Sequence, residues 1–193
     1  MTSEQPDVVV RARSLLGRHL HGHDVTVRIT EVEAYGGVLD PASHAFTRTA
    51  RSEIMYGPPW RLYVYRSYGM HWCANIVTGP TEQAAAVLVR AGEVVDGLDV
   101  ARERRGGVPD VRLARGPGNL AQALGITGAD LGTPLLQEGS AVRLGPEPAT
   151  PPPITAGPRV GVSKAADVPW RFWVTGDPTV SAYRRSPRAH PDL

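Results

Sequence analysis

The sequence predicts a single α+β domain of short strands and helices, and three observations carry that reading. Two stretches, 25–35 and 61–78, alternate apolar and polar residues as strands do. The stretch 8–20 instead spaces its apolar residues as a helix does. The chain has 193 residues and 41% hydrophobic content, which supplies one compact core. In chain order, Val9, Leu15, Leu16 and Leu20 give the first helix. Within 25–35, the segment Ile29–Tyr35 sends Glu31, Glu33 and Tyr35 to one face and Val32 and Ala34 to the other. "RLYVYRSYGMHWCANIVT" (61–78) contributes further strand, and "QAAAVLVRAGEVV" (83–95) contains a buried strand over Ala86–Ala91. "VVDGLDVARERRG" and "GPGNLAQALGI" read as short helices, with Asn119 as N-cap of the second. Residues 145–159 are proline-rich and read as a loop. "VGVS" and "RFWVTG" follow as short strands, too little chain for a second core, so 1–193 is one domain. Residues 1–7 and 184–193 are expected to be flexible tails.

Composition narrows the setting. No apolar run approaches the roughly 20 residues of a membrane span, and the start lacks the pattern of a signal peptide. A lone cysteine, Cys73, suggests a reducing compartment. These features point to a cytoplasmic protein with no membrane partner. Net charge is only +2, and Lys164 is the sole lysine, so a Schiff-base mechanism has one candidate side chain.

Several clusters carry chemistry. Glu31 and Glu33, at i and i+2, stand roughly 6.6 Å apart along a strand. That spacing suits a glycosidase acid/base pair or a solvated strand face. Tyr35 and Gly36-Gly37 favour a walled cavity. Tyr63 and Tyr65 share a strand face, and Tyr68 precedes Gly69 at a turn. A half-buried aromatic strand, or a platform and wedge for nucleic-acid bases, fits that pattern. "RHLHGHD" offers His19, His21, His23 and Asp24 as a histidine run on the surface or as metal ligands. "LARGPGNLAQAL" offers Gly116, Gly118, Arg112 and Arg115 as a phosphate cradle or a plain helix start. Arg90 and Asn75 interrupt apolar strands and need partners, with Glu33 a candidate for Arg90.

"EVEAYGGVLDPASHA", "MYGPPWRLYVYRSYGMHWCANIV", "VLVRAGE", "RGPGNLAQALGI" and "RVGVSKAADVPWRFWVTGDPTVS" occur in this order. Over residues 8–183 the chain resembles the alkyladenine (3-methyladenine) DNA glycosylases of the monofunctional type. The resemblance implies a curved, mostly antiparallel, barrel-like sheet with surrounding helices. It implies excision of alkylated purines from double-stranded DNA by a monomer in the bacterial cytoplasm, at the nucleoid, with no metal or organic cofactor. It assigns Glu33 as the base that deprotonates water, with Arg90 and the Val160 carbonyl holding that water. Tyr35 lies under the flipped base, with His44 and Tyr65 on its other side, and Asn75 disfavours guanine. Tyr68 is the intercalating wedge and Met70 its support. Arg48, Arg51, Arg104, Arg105 and Arg115 are candidate phosphate contacts. Arg66, Ser67, Trp60 and Lys164 depart from the family pattern. Two rivals stand beside this reading: a non-catalytic nucleic-acid-binding domain, and a metal-dependent hydrolase on the 19–24 histidines.

Overall fold

A computed structural model describes residues 7–189. Three helices, α1 (Asp7–Leu15), α2 (Leu98–Arg105) and α3 (Pro117–Ala123), pack around eight strands. The strands are β1 (His19–Gly22), β2 (Val25–Tyr35), β3 (Leu62–Ser67), β4 (His71–Val77), β5 (Ala86–Asp96), β6 (Val142–Leu144), β7 (Ile154–Gly157) and β8 (Arg171–Val174). They form one sheet in the order β3-β4-β5-β2-β1-β6, and β8 joins β2 with β7 beyond it. Every pairing is antiparallel, so the α+β class and the curved antiparallel sheet both hold.

The curvature originates in β2. On one edge it pairs with β5 along its length. On the other edge Val25–Arg28 pair with β1 and Glu31–Glu33 pair with β8. Between these halves the register is broken. Ile29 faces Gly92, Glu31 faces Ala91 and Val32 faces Val89, which leaves Thr30 and Arg90 each without an opposite number. Such bulges bend a strand and raise its twist. They also exchange the faces. Val25, Val27 and Ile29 point into the main core before Thr30, and Val32 and Ala34 do so after it. That exchange turns Glu31, Glu33 and Tyr35 onto the opposite side of the sheet. The buried faces of α1 and α3 cover the core side.

Several boundaries differ from the sequence reading. The first helix ends at Leu15, because Gly17 takes φ +83° and Leu20 enters β1. The β1–β2 turn places His23 and Asp24 both at positive φ, the geometry that lets two twisted strands meet. The N-cap of α3 is Gly116, with Pro117 at the first helical position. Asn119 lies inside that helix and donates from Nδ2 to the Arg115 carbonyl at 2.6 Å. The 145–159 loop contains β7, whereas Val160–Ser163 form no strand, since Gly161 at φ +71° turns the chain. Of the tails expected to be flexible, residues 1–6 and 190–193 lie outside the described residues. Asp7 opens α1, and the Arg184 carbonyl accepts from the Gly161 N–H at 2.9 Å.

Candidate active site

The face opposite the main core holds a cavity of about 730 Å³. Its floor comes from alternate residues of four strands: Glu33 and Tyr35 of β2, Tyr63 and Tyr65 of β3, Cys73 and Asn75 of β4, and Leu88 and Arg90 of β5. Loops close the sides with His44, Arg51 and Val160–Lys164, and Tyr68 stands at the rim. The strand registers explain this convergence. Glu33 lies across from Leu88, Asn75 from Leu88, and Tyr63 from Asn75.

Glu33 is 0% exposed and its carboxylate is fully engaged. Oε1 accepts from the Val160 N–H at 2.7 Å and lies 3.3 Å from Arg90 Nη1, while Oε2 accepts from the Tyr35 hydroxyl at 2.8 Å. Such donors hold a carboxylate in one orientation. Tyr35 is therefore more than a wall. Burial, and then the Glu33 charge, raise its phenol well above the ordinary value, so it remains a donor to Glu33. Arg90 is buried by the same strands. Desolvation alone would lower it, but the Glu33 and Glu31 charges outweigh that and raise it.

Glu31 does not share the cavity. It is completely buried, and its Oε1 accepts from Arg90 Nε at 2.9 Å, from Arg171 Nη1 at 3.1 Å and from Ser181 Oγ at 3.0 Å. The E-x-E spacing thus builds one cavity carboxylate and one internal anchor. A solvent-facing Glu31 is ruled out. Arg90 joins the two acids, as the need for a partner at that position implied.

His44 opens a 3-10 turn whose first N–H groups are capped by Ser43. Its Nδ1 shares a 3.0 Å hydrogen bond with the Tyr63 hydroxyl, and its ring meets Tyr65 edge-on at 4.6 Å. Lost solvation, then the neighbouring Arg51 charge, push the imidazole down to about 4. At neutral pH the ring is uncharged. Tyr65 is raised above the ordinary phenol value by burial, with Cys73 next in effect. Asn75 donates to the Tyr63 carbonyl at 3.1 Å.

The hairpin joining β3 and β4 carries the most exposed aromatic. Tyr68 is 89% exposed at φ +50°, and Gly69 follows at φ +69°. A tyrosine held there costs about 1–2 kcal/mol, and the strain throws its ring clear of the surface beside Met70, 66% exposed. Strain of this kind collects at functional sites.

The cations sort differently from the sequence list. Arg48 spends its donors on Glu53 and Glu82. Arg115 donates to the Pro178 carbonyl, and Arg104 and Arg105 to main-chain carbonyls around α3. Arg51, at 4.7 Å over the Tyr65 ring, lines the cavity with no acidic partner among the described residues. Arg66 lies 5.1 Å over the Trp72 ring. Trp60 sits at φ +63°, a conformation that glycine adopts without steric cost, which fits the glycine expected there from the resemblance. Lys164 lines the cavity wall near Phe46.

Gly118 has a packing role, because a Cβ there would lie 2.9 Å from His71. The histidine run is occupied elsewhere: His21 Nδ1 bonds Thr26 at 2.9 Å and His23 Nε2 bonds Asp130 at 2.9 Å. No three such side chains converge on one point among the described residues.

Sequence reasoning missed Arg159. It is 1% exposed, bridges both oxygens of Asp40 at 2.6 and 3.0 Å, and lies between the Tyr35 and Trp170 rings at 4.9 and 5.4 Å. The pair clamps the turn after β2. There Gly37 takes φ +66°, and any Cβ would sit 1.9 Å from the Ala84 carbonyl oxygen. An arginine in the tight "GPRVG" run was the available signal.

The chain is similar in sequence to several named proteins. A protein of Nocardia farcinica is 56% identical over 193 residues, covering 95% of this chain and 90% of its own length. Proteins of Mycolicibacterium paratuberculosis (55%, 95% and 92%) and Mycobacterium tuberculosis (53%, 95% and 93%) are similar over nearly the same span. All three carry the name "Putative 3-methyladenine DNA glycosylase". The family described as methylpurine-DNA glycosylase (MPG) matches residues 2–178. The chain with this cavity therefore belongs to the methylpurine-DNA glycosylase family, a family of hydrolases acting on N-glycosyl bonds.

Proposed function

We propose that the protein is a monofunctional DNA glycosylase acting on double-stranded DNA as a monomer in the bacterial cytoplasm. It removes 3-methyladenine, 7-methylguanine, hypoxanthine and ethenoadenine with an activated water, leaving an abasic site. One observation carries this reading: a carboxylate fixed by three donors at the floor of a cavity lined by Tyr35, Tyr63, Tyr65 and His44.

The scissile bond lies inside the duplex, so the nucleotide must rotate out to meet Glu33. Tyr68 fills the gap it leaves, and Met70 supports the ring. The extruded base stacks between Tyr35 and the pair Tyr65 and His44, with Asn75 opposing the 2-amino group of guanine. Glu33 takes a proton from a water held by Arg90 and the Val160 carbonyl, and that water attacks C1′. The oxocarbenium-like state is stabilised by the same carboxylate. N3- and N7-alkylated purines leave readily because they are already cationic. Arg51, lining the cavity with no acidic partner among the described residues, suits a DNA phosphate better than Arg48 or Arg115. Water rather than Lys164 serves as nucleophile, so the backbone stays intact.

Release of base from duplexes carrying one lesion each, followed by alkaline cleavage at abasic sites, tests the reading. No release from any of the four lesions would end it. Tyr68→Gly should weaken binding to a damaged duplex roughly 10- to 100-fold, the value of one stacked ring, while the melting temperature holds or rises because glycine relaxes the turn. Equal loss of stability and binding would contradict a wedge.

His44 gives a pH prediction. A ring pushed down to about 4 stays neutral from pH 8 to 5.5 and supplies no imidazolium acid there. His44→Gln should therefore slow hypoxanthine and 7-methylguanine alike, by about tenfold for one lost hydrogen bond and ring contact. The shape of the pH–rate profile should not change. A selective loss on hypoxanthine would instead make His44 the acid for neutral adducts.

A further inference from the structure

The match to the family ends at residue 178, yet the chain after β8 returns to the buried side of the site. Thr179 Oγ1 meets Thr30 Oγ1 at 2.7 Å, on the bulge of β2. Ser181 contributes two donors to Glu31, its N–H to Oε2 at 2.7 Å and its Oγ to Oε1 at 3.0 Å. Arg90 Nη2 donates to Ser181 Oγ at 3.3 Å, and Arg171 Nη1 lies 3.5 Å from the Ser181 carbonyl. Farther along, the Arg184 carbonyl accepts from Gly161 N–H, next to the Val160 that binds Glu33.

We propose that Thr179–Arg184 is a working strap of the catalytic site and that Ser181 is a positioning residue, fixing Arg90 through Glu31. This rests on the glycosylase reading above. The argument is one of freedom and donors. An arginine side chain has several rotatable bonds, and the water-holding role needs its Nη1 within about 0.5 Å of one place. Arg90 has Nε on Glu31 and Nη2 on Ser181, which leaves Nη1 aimed at Glu33. Glu31 can serve as that fixed point because Ser181 and Arg171 hold both of its oxygens. Removing the Ser181 hydroxyl frees one edge of the guanidinium and leaves a buried donor without its acceptor. A displacement near 1 Å at such a group costs up to about 100-fold in rate. The strap also pins the Val160–Lys164 wall, so one segment supports both groups assigned to the water.

The test uses the full chain. Ser181→Ala should lower single-turnover release of ethenoadenine or 7-methylguanine about tenfold. Affinity for a duplex carrying a tetrahydrofuran abasic analogue should stay within about twofold of wild type, and the melting temperature should fall by roughly 2 to 12 °C for the stranded donor, with the protein still folded at the assay temperature. Ser181→Thr, which keeps the hydroxyl, should recover the rate to within about threefold. The Arg90 Nε–H resonance, identified by its loss in Arg90→Lys, should exchange with solvent about tenfold faster in Ser181→Ala, with that of Arg159 unchanged. Wild-type rates in Ser181→Ala would overturn the proposal. So would a rate loss that follows melting temperature and is not recovered by threonine. A wild-type protein that releases no base, in which Arg90 still responds to Ser181→Ala, would overturn the glycosylase reading and leave the positioning role standing.

Discussion

Glu33→Gln is expected to abolish base release while leaving the fold and the damaged-DNA complex in place. Glutamine is nearly isosteric, and its carbonyl oxygen can still accept from the Val160 N–H or the Tyr35 hydroxyl that hold the carboxylate now. Arg90 keeps Glu31 as its buried counter-charge, so the substitution leaves no stranded arginine. What disappears is the basic oxygen proposed to accept the proton of water. Positioned bases contribute about 10²- to 10⁴-fold, and a fall in that range is expected in single-turnover release of 7-methylguanine and ethenoadenine. Binding to a tetrahydrofuran duplex should change little. The measurement also separates the rival chemistry: a metal-dependent hydrolase built on His19–Asp24 would lose activity with a chelator or in His21→Ala and keep it in Glu33→Gln. Equal release by wild type and Glu33→Gln would overturn the assignment of the base.

The largest expected loss of stability lies outside the reacting groups. Arg159→Met should destabilise the protein by about 3–5 kcal/mol, the usual result of removing one partner from a buried ion pair. Asp40, 2% exposed, would lose its bidentate guanidinium partner. The Ala34 carbonyl would lose the donor it has at 2.9 Å. For a chain of this length the midpoint of thermal unfolding should drop by roughly 6 to 20 °C. Arg48→Met serves as the comparison. Its pairs with Glu53 and Glu82 are exposed, and surface pairs contribute little to stability. A similar midpoint for both variants would show that the Arg159–Asp40 pair is not the clamp it resembles. Because Arg159 also backs the Tyr35 ring, any surviving Arg159→Met protein should bind a flipped base less tightly.

The parts of the fold that were legible in the sequence depend on short-range pattern. Strand alternation at 61–78 places Tyr63 and Tyr65 against Cys73 and Asn75, and alternation at 29–35 places Glu33 with Tyr35. The resemblance supplied the curved sheet. What the pattern hid was mostly long-range. Nothing local couples Arg159 to Asp40, 119 positions away, or Ser181 to Glu31, 150 positions away. The first helix was overextended because Leu20 continues the helical spacing, although Gly17 at φ +83° has already ended it. The strand expected at "VGVS" lies at Ile154–Gly157 instead, among prolines that argue for a loop. One signal was present and unread. Apolar residues occupy 25, 27 and 29, then 32 and 34, and that slip of phase is the bulge at Thr30.

The slip has a counterpart on β5, where Val87 and Val89 enter the core and Val94 packs against it. At this bulge each strand carries a surplus residue, Thr30 in one and Arg90 in the other, while Val95 of β5 is a second one at the Thr26/Val27 shift. A chain lacking Thr30 and Arg90 would still keep its apolar residues inward. It would also lack the guanidinium that faces Glu33 and the hydroxyl that anchors the returning strap. Two surplus positions thus set the cationic partner of Glu33 and the anchor of the returning chain.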